Sequence, residues 1–248
     1  MVFRSLAREY LLPTGPAPTL TAPTRGGMTG ELGTAIQLVR LAAGTPRLLG
    51  APRGDGTPVV LIPGWKAPEA SMAPLRAYLR TRGYDARHWG LGVNRGDPEG
   101  DAVRVAANVA DLAEQTGHPV ALVGWSLGGV IARETARKSP QHVTQVITYG
   151  TPATGGPAYT IGAHSYGRDQ SQRIARAIDE RDRDRPIRVP ITALFTRNDR
   201  IVSWGACLDR TSEQVEHVEV RSTHLGMGLD PDVWVTIARR LGGAPTTS

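Results

Sequence analysis

One cysteine, two lysines and no apolar run long enough to span a bilayer are the first features of this 248-residue chain. Cys207 stands alone, so an internal disulfide and a cysteine-built metal cluster are both excluded. A secretory leader needs a basic start, about 7–15 apolar residues and a small-residue cleavage site. Arg4, Arg8 and Glu9 interrupt the apolar residues of the opening segment, and no later stretch approaches the roughly 18 residues of a membrane span. The expectation is a cytoplasmic protein. Lysine occurs only at positions 66 and 138, so the formal charge of +6 is carried by arginine. The arginines are scattered and often sit beside acids, as in Asp179-Glu180-Arg181-Asp182-Arg183-Asp184-Arg185. That run reads as a solvated, self-neutralising face, and the distribution argues against nucleic-acid binding.

What is present fits one globular domain. Hydrophobic residues make up 40% and charged residues 21%, enough to bury a core on both faces of a sheet. Residues 1–57 read as an N-terminal arm and helix packed on the main domain. Val2, Phe3, Leu6 and Tyr10 fall on one helical stripe, suited to docking on the parent domain or to weak contact with a membrane surface. A Pro/Thr/Gly-rich arm over 13–28 leads to a helix around 30–43.

From Pro58 short apolar runs alternate with amphipathic segments, the pattern of a three-layer α/β/α sandwich with a mostly parallel sheet. Strands are expected at 59–62, 84–89, 120–123, 143–149, 191–196 and 215–220. Helices are expected at 69–82, 98–116, 127–138 and through 234–241, with Val103, Ala106, Val109 and Leu112 on the core face of the second. The main domain runs over 58–242 and a tail over 243–248. Between about 151 and 190 a Gly/Pro/Tyr-rich loop and a charged helix near 169–182 form a cap-like insertion, where loops govern access to a site.

Gly124-Trp125-Ser126-Leu127-Gly128 follows a strand and opens a helix, the context in which G-x-S-x-G presents a strained, exposed serine hydroxyl. Such a hydroxyl needs a base. His224 sits in the loop Ser222-Thr223-His224-Leu225-Gly226-Met227 after the last strand, where a base could reach Ser126; His164 in the insertion is the other candidate. His88, His118 and His142 lie in or beside strands and read as structural or surface residues, and His217 alternates inside the last strand. Asp199 closes the strand between serine and histidine, in the chain order Ser, acid, His, with Asp209 as a second candidate. The amides of Leu127 and Trp65, the latter beyond Pro63-Gly64, are the expected oxyanion donors. Trp125, Tyr159, Tyr166, Trp204, Leu225 and Met227 fall in or near the surrounding loops and are expected to form an apolar substrate pocket.

Ile62-Pro63-Gly64-Trp65, Trp89-Gly90-Leu91-Gly92-Val93-Asn94, the Ser126 elbow, Asp199 and the His224 loop together resemble the α/β-hydrolase superfamily, in particular bacterial esterase/lipase-like members. The resemblance covers about 58–242. It implies a sheet of about six to eight strands and hydrolysis of an ester through an acyl-serine, with no metal or organic cofactor. Many members carry His-Gly where this chain has Pro63-Gly64, and their early antiparallel strands are not evident before Pro58. The same residues also suit a thioesterase, an acyltransferase or a ligand-binding relative without catalysis. Neither the oligomeric state nor a partner beyond a small ester is specified.

Overall fold

The computed structural model describes residues 8–10, 20–23, 35–163 and 168–243. Among these residues seven strands form one sheet: β1 (Arg8–Tyr10), β2 (Pro58–Ile62), β3 (Asp85–His88), β4 (Val120–Trp125), β5 (Val143–Tyr149), β6 (Ile191–Phe195) and β7 (Val215–Glu219). Their spatial order is β1-β7-β6-β5-β4-β2-β3, with β1 antiparallel to β7 and every other pairing parallel.

Among the described residues, seven α-helices surround it: α1 (Ala35–Ala43), α2 (Thr45–Leu49), α3 (Ala73–Thr81), α4 (Pro98–Thr116), α5 (Leu127–Lys138), α6 (Arg168–Asp184) and α7 (Pro231–Leu241). Strand residues alternate between two cores. Val59, Leu61, Ala121 and Val123 meet α3 and α7 on one face, whereas Val60, Ile62, Val120 and Leu122 meet α4 and α5 on the other. No helix among the described residues is long and apolar enough to cross a membrane.

Local chemistry sets the helix ends. The side chain of Asp97 accepts the Gly100 amide at 3.1 Å ahead of Pro98, and Gly117 ends α4 in the left-handed region. Asp230 does the same for α7, accepting the Asp232 amide at 2.8 Å. The expected helix over 69–82 is a 3₁₀ turn at Glu69–Met72 followed by α3, because Pro74 lacks the amide that would continue the α-helical ladder backward.

Three expectations are corrected. Val103 is 56% exposed; the buried stripe of α4 is Ala102, Val105, Val109, Leu112 and Ala113, a better match to 3.6-residue periodicity. Tyr10 lies in a strand, not on a helical stripe, and gives the sheet an antiparallel edge ahead of Pro58. Val2, Phe3, Leu6 and positions 30–34 lie outside the described residues. The charged run of α6 is not wholly solvated either, since Asp182 is buried and bridges Arg133 and Arg137 of α5. Arg181 adds pairs to Glu134 of α5 at 3.3 Å and Glu99 of α4 at 2.5 Å, so α6 is bolted to the helix that follows Ser126 and to the one before it.

The chain leaves β2 toward β3 on one side and then crosses to β4 on the other. The carboxyl ends of the neighbours β2 and β4 therefore form a switch point, where open parallel sheets leave a crevice.

Candidate active site

Ser126 occupies that switch point. It has φ 53° and ψ −121°, a conformation that costs a non-glycine residue about 1–3 kcal/mol and persists only when its surroundings enforce it. Here they do. The Ser126 amide donates to the Tyr149 carbonyl at 2.9 Å, and the Gly129 amide donates to the Ser126 carbonyl at 3.0 Å. A side chain at Gly124 would strike the backbone of 128–129, and one at Gly128 would strike the carbonyls of Ile62 and Pro63. The glycines thus permit strand, turn and helix to pack in contact.

Asp199 ends the turn after β6 with its side chain fully buried. Its Oδ1 accepts the amides of Ile201 at 2.8 Å and Val202 at 2.7 Å, and its Oδ2 lies 2.7 Å from His224 Nδ1. A carboxylate accepts and does not donate, so Nδ1 is the donor in this bond, and in the neutral imidazole the lone pair is then on Nε2. The His224 loop is tied back to the sheet where Thr196 Oγ1 donates to the Ser222 carbonyl at 2.9 Å. The imidazole leans on the Trp125 ring, with centroids 5.9 Å apart and planes at 36°. Its Nδ1 and Cε1 also lie over Gly150, where a Cβ would come within 2.9–3.0 Å of them. Trp125 precedes Ser126 in the chain, and Gly150 follows the residue whose carbonyl holds the Ser126 amide. The elbow and the imidazole therefore share one rim of the sheet.

Gly64 packs on the same point, since a Cβ there would lie 3.4 Å from Ser126 Cβ and 3.3 Å from the Trp125 ring. Trp65 follows it and Leu127 opens α5. Among the described residues, neither of these two amides is paired with an acceptor.

A sequence model of the alpha/beta hydrolase family matches residues 59–241, the whole span from β2 to α7. The chain belongs to the alpha/beta hydrolase family. Curated relatives include the pimeloyl-[acyl-carrier protein] methyl ester esterase of Aliivibrio salmonicida, 33% identical over 99 residues, which are 38% of this chain and 36% of that one. The enzyme of the same name from Aliivibrio fischeri is 32% identical over 38% of this chain and 37% of its own. This chain thus spans about a third of the length of the curated relatives it matches. Among solved structures, a chain from work on two metagenome-derived lipolytic enzymes, LipS and LipT, aligns at TM-score 0.59 and 15% identity, over 78% of this chain and 95% of that one. Aspergillus fumigatus lipase B aligns at 0.58 and 17%, over 76% and 54%.

Within this hydrolase fold the residues expected to line a pocket separate into two groups. Trp65 and Leu225, next in the chain to Gly64 and His224, are exposed at 43% and 41%, and Trp125 is half-buried between His224 and Tyr149. Met227 does not line the expected pocket. It is completely buried in the core, with its Cε against Gly150. Tyr159 and Trp204 are part-buried. They pack with Phe195, Val202, Ala206, Cys207 and Leu208, Trp204 stacking on Phe195 at 5.9 Å with the Arg197 guanidinium 4.2 Å from its ring centroid. Both brace the turn that carries Asp199, because an aromatic beside a strand end buries its area where a core already exists. Tyr166 and His164 lie outside the described residues.

The second acid candidate, Asp209, is committed elsewhere. It is paired with buried Arg133 and accepts the amides of Thr211 and Ser212. His217 is structural, its Nε2 accepting the Asp209 amide at 3.0 Å. Gly150, with φ 59°, escaped the sequence reading, although a glycine directly after a buried strand is a signal for close approach.

Proposed function

We propose that this chain is a serine hydrolase of carboxylic esters, preferring an apolar acyl chain and a small alcohol. One observation carries the reading: the 2.7 Å bond between Asp199 and His224, at the rim where β4 turns through Ser126 into α5.

In this reaction Nε2 of His224 takes the Ser126 hydroxyl proton as Oγ bonds to the ester carbonyl carbon. The carbonyl electron pair moves onto oxygen, where the amides of Trp65 and Leu127 stabilise it. When that pair returns, the bond to the alcohol breaks, and the leaving alkoxide takes the proton from His224. Water then repeats the sequence on the acyl-serine, and Asp199 steadies the imidazolium in both halves. Family membership and the names of the relatives support esters as the substrate class, and the methyl ester named for the curated relatives favours a small alcohol. The exposed Trp65 and Leu225 favour an apolar acyl group.

The test is a panel of esters of graded acyl length, turned over by wild type and Ser126→Ala. The variant is expected to lose at least about three orders of magnitude in kcat. Near-normal turnover would overturn the mechanism, and failure of a fluorophosphonate to label Ser126 would point to a non-catalytic binder. A clear preference for an acyl thioester over the matching p-nitrophenyl ester would replace the substrate class with a thioesterase or acyl-transfer reaction on the same residues.

A further inference from the structure

Asn94 is completely buried at the end of the loop after β3, and each of its four hydrogen-bonding groups is used. Its Nδ2 donates to the Pro63 carbonyl at 2.8 Å and its backbone carbonyl accepts the Lys66 amide at 2.8 Å. Its own amide donates to the Ala67 carbonyl at 3.1 Å, and its Oδ1 accepts the Gly96 amide at 3.1 Å. Three of these four bonds grip the segment 63–67 on either side of Trp65.

That segment is a tight turn, closed by the Ala67 amide on the Gly64 carbonyl at 3.1 Å, with Lys66 at its second corner. Lys66 has φ 59°, one of two non-glycine residues with positive φ among those described; the other is Ser126. A lysine does not hold that conformation unaided. We infer that Asn94 is a positioning residue that aims the Trp65 amide at the oxyanion by fixing the peptides before and after it. The inference rests on the proposed esterase reading, in which that amide is one of the two donors.

The Trp65 amide lies in the Gly64–Trp65 peptide; the peptide before it is held at the Pro63 carbonyl and the peptide after it at the Lys66 amide, one by the Asn94 side chain and the other by its backbone. Gly96, which Asn94 Oδ1 anchors, is also the surface on which the Trp65 indole rests: a Cβ at Gly96 would come within 2.8 Å of the indole nitrogen. Pairing of the two loops continues outward, with the Glu69 amide on the Gly92 carbonyl at 3.1 Å and a bridge between Pro68 and Val93. The loop therefore has a fixed frame, and the Asn94 side chain is its inner pin.

The experiment compares wild type with Asn94→Ala and with the near-isosteric Asn94→Asp, which cannot donate to the Pro63 carbonyl and guards against a folding failure of the alanine variant. Active sites are counted by exhaustive fluorophosphonate titration, so kcat is expressed per competent molecule. An oxyanion donor acts in the transition state, so kcat is expected to fall about 100-fold with KM within about threefold. Affinity for a trifluoromethyl ketone, which forms a tetrahedral oxyanion on the serine, is expected to fall in step with kcat/KM. If the per-site kcat is unchanged, or the loss is accounted for by fewer titratable sites, Asn94 is merely structural and the inference fails. Should Ser126→Ala itself stay active, the parent reading fails; an inactive Ser126→Ala beside fully active Asn94 variants removes the inference alone.

Discussion

Asp199 divides its carboxylate between two tasks: one oxygen holds the amides of Ile201 and Val202, and the other holds Nδ1 of His224 at 2.7 Å. An asparagine placed there would keep its oxygen on the two amides and turn its NH₂ group toward His224. The imidazole would then have to accept at Nδ1 and carry its proton on Nε2, which removes the base facing Ser126. Asp199→Asn is accordingly expected to lower kcat by about 10³–10⁴-fold with little change in Tm. Ester turnover and thermal melting check this together, and a loss below tenfold would contradict the assigned tautomer.

Gly150 is the floor under the imidazole. A methyl group at this position would meet Met227 Cε at 2.8 Å and the His224 ring at 2.9–3.0 Å, on a backbone with φ 59°. Gly150→Ala is expected to destabilise by about 1–3 kcal/mol and to cut kcat by tenfold or more, because the ring moves away from Ser126. Denaturant melts and steady-state kinetics measure the two effects, and a fully active variant would show that the ring has room to spare.

Met227 and Leu225 lie two residues apart and should respond oppositely. Met227 is sealed in the core, so Met227→Ala is expected to cost about 2–5 kcal/mol while leaving the acyl-length preference intact. Leu225 is 41% exposed. Leu225→Ala is expected to stay within about 0.5 kcal/mol of wild type but to raise KM for the longer acyl esters. Reversal of this pattern would place the pocket on the other side of the His224 loop.

Asp209 makes stability depend on acid. Burial pushes its carboxyl upward, but the charge of Arg133 and hydrogen bonds from Ser212, Arg133 and Thr211 outweigh burial and hold it well below the usual 3.8. A carboxyl lowered in the folded state contributes stability that is present above 3.8 and lost as pH falls toward the folded value. Asp209→Asn is expected to cost about 3–5 kcal/mol at neutral pH, with the gap to wild type narrowing below pH 3.8. Asp182 opposes this trend, because burial raises it despite Arg133 and Arg137. Urea melts of both proteins across that range decide the matter; a gap independent of pH would mean that Asp209 is not ionised against Arg133.

The parallel strands were legible because each is a run of apolar residues bounded by Pro, Gly or polar turns, as Pro58–Ile62 is by Pro63-Gly64. Helix α4 was legible to the residue because Asp97-Pro98 and Gly117 are chemical stop signs. The glycines around Ser126 likewise mark a crowded turn in the sequence itself. β1 could not be read, since Arg8, Glu9 and Tyr10 are too few and too polar to carry a period, and only β7 gives them a partner. Val103 and Val105 are equally apolar; which one faces the sheet depends on the helix phase relative to β2 and β4. Asp182 and Asn94 share this difficulty. Each looks like an ordinary surface or turn residue until a segment distant in sequence, α5 for one and 63–67 for the other, closes around it.

The antiparallel pairing of Arg8 with Glu219 joins an early tripeptide to the last strand of the sheet. β1 and β7 lie far apart in sequence, and the outer flank of β7 stays unpaired until the two meet. This late, long-range step sets the pace at which the outer edge is sealed. Until then β7 is an open template for a strand from another molecule, so removing residues 8–10 should favour aggregation during synthesis more than it weakens the finished fold.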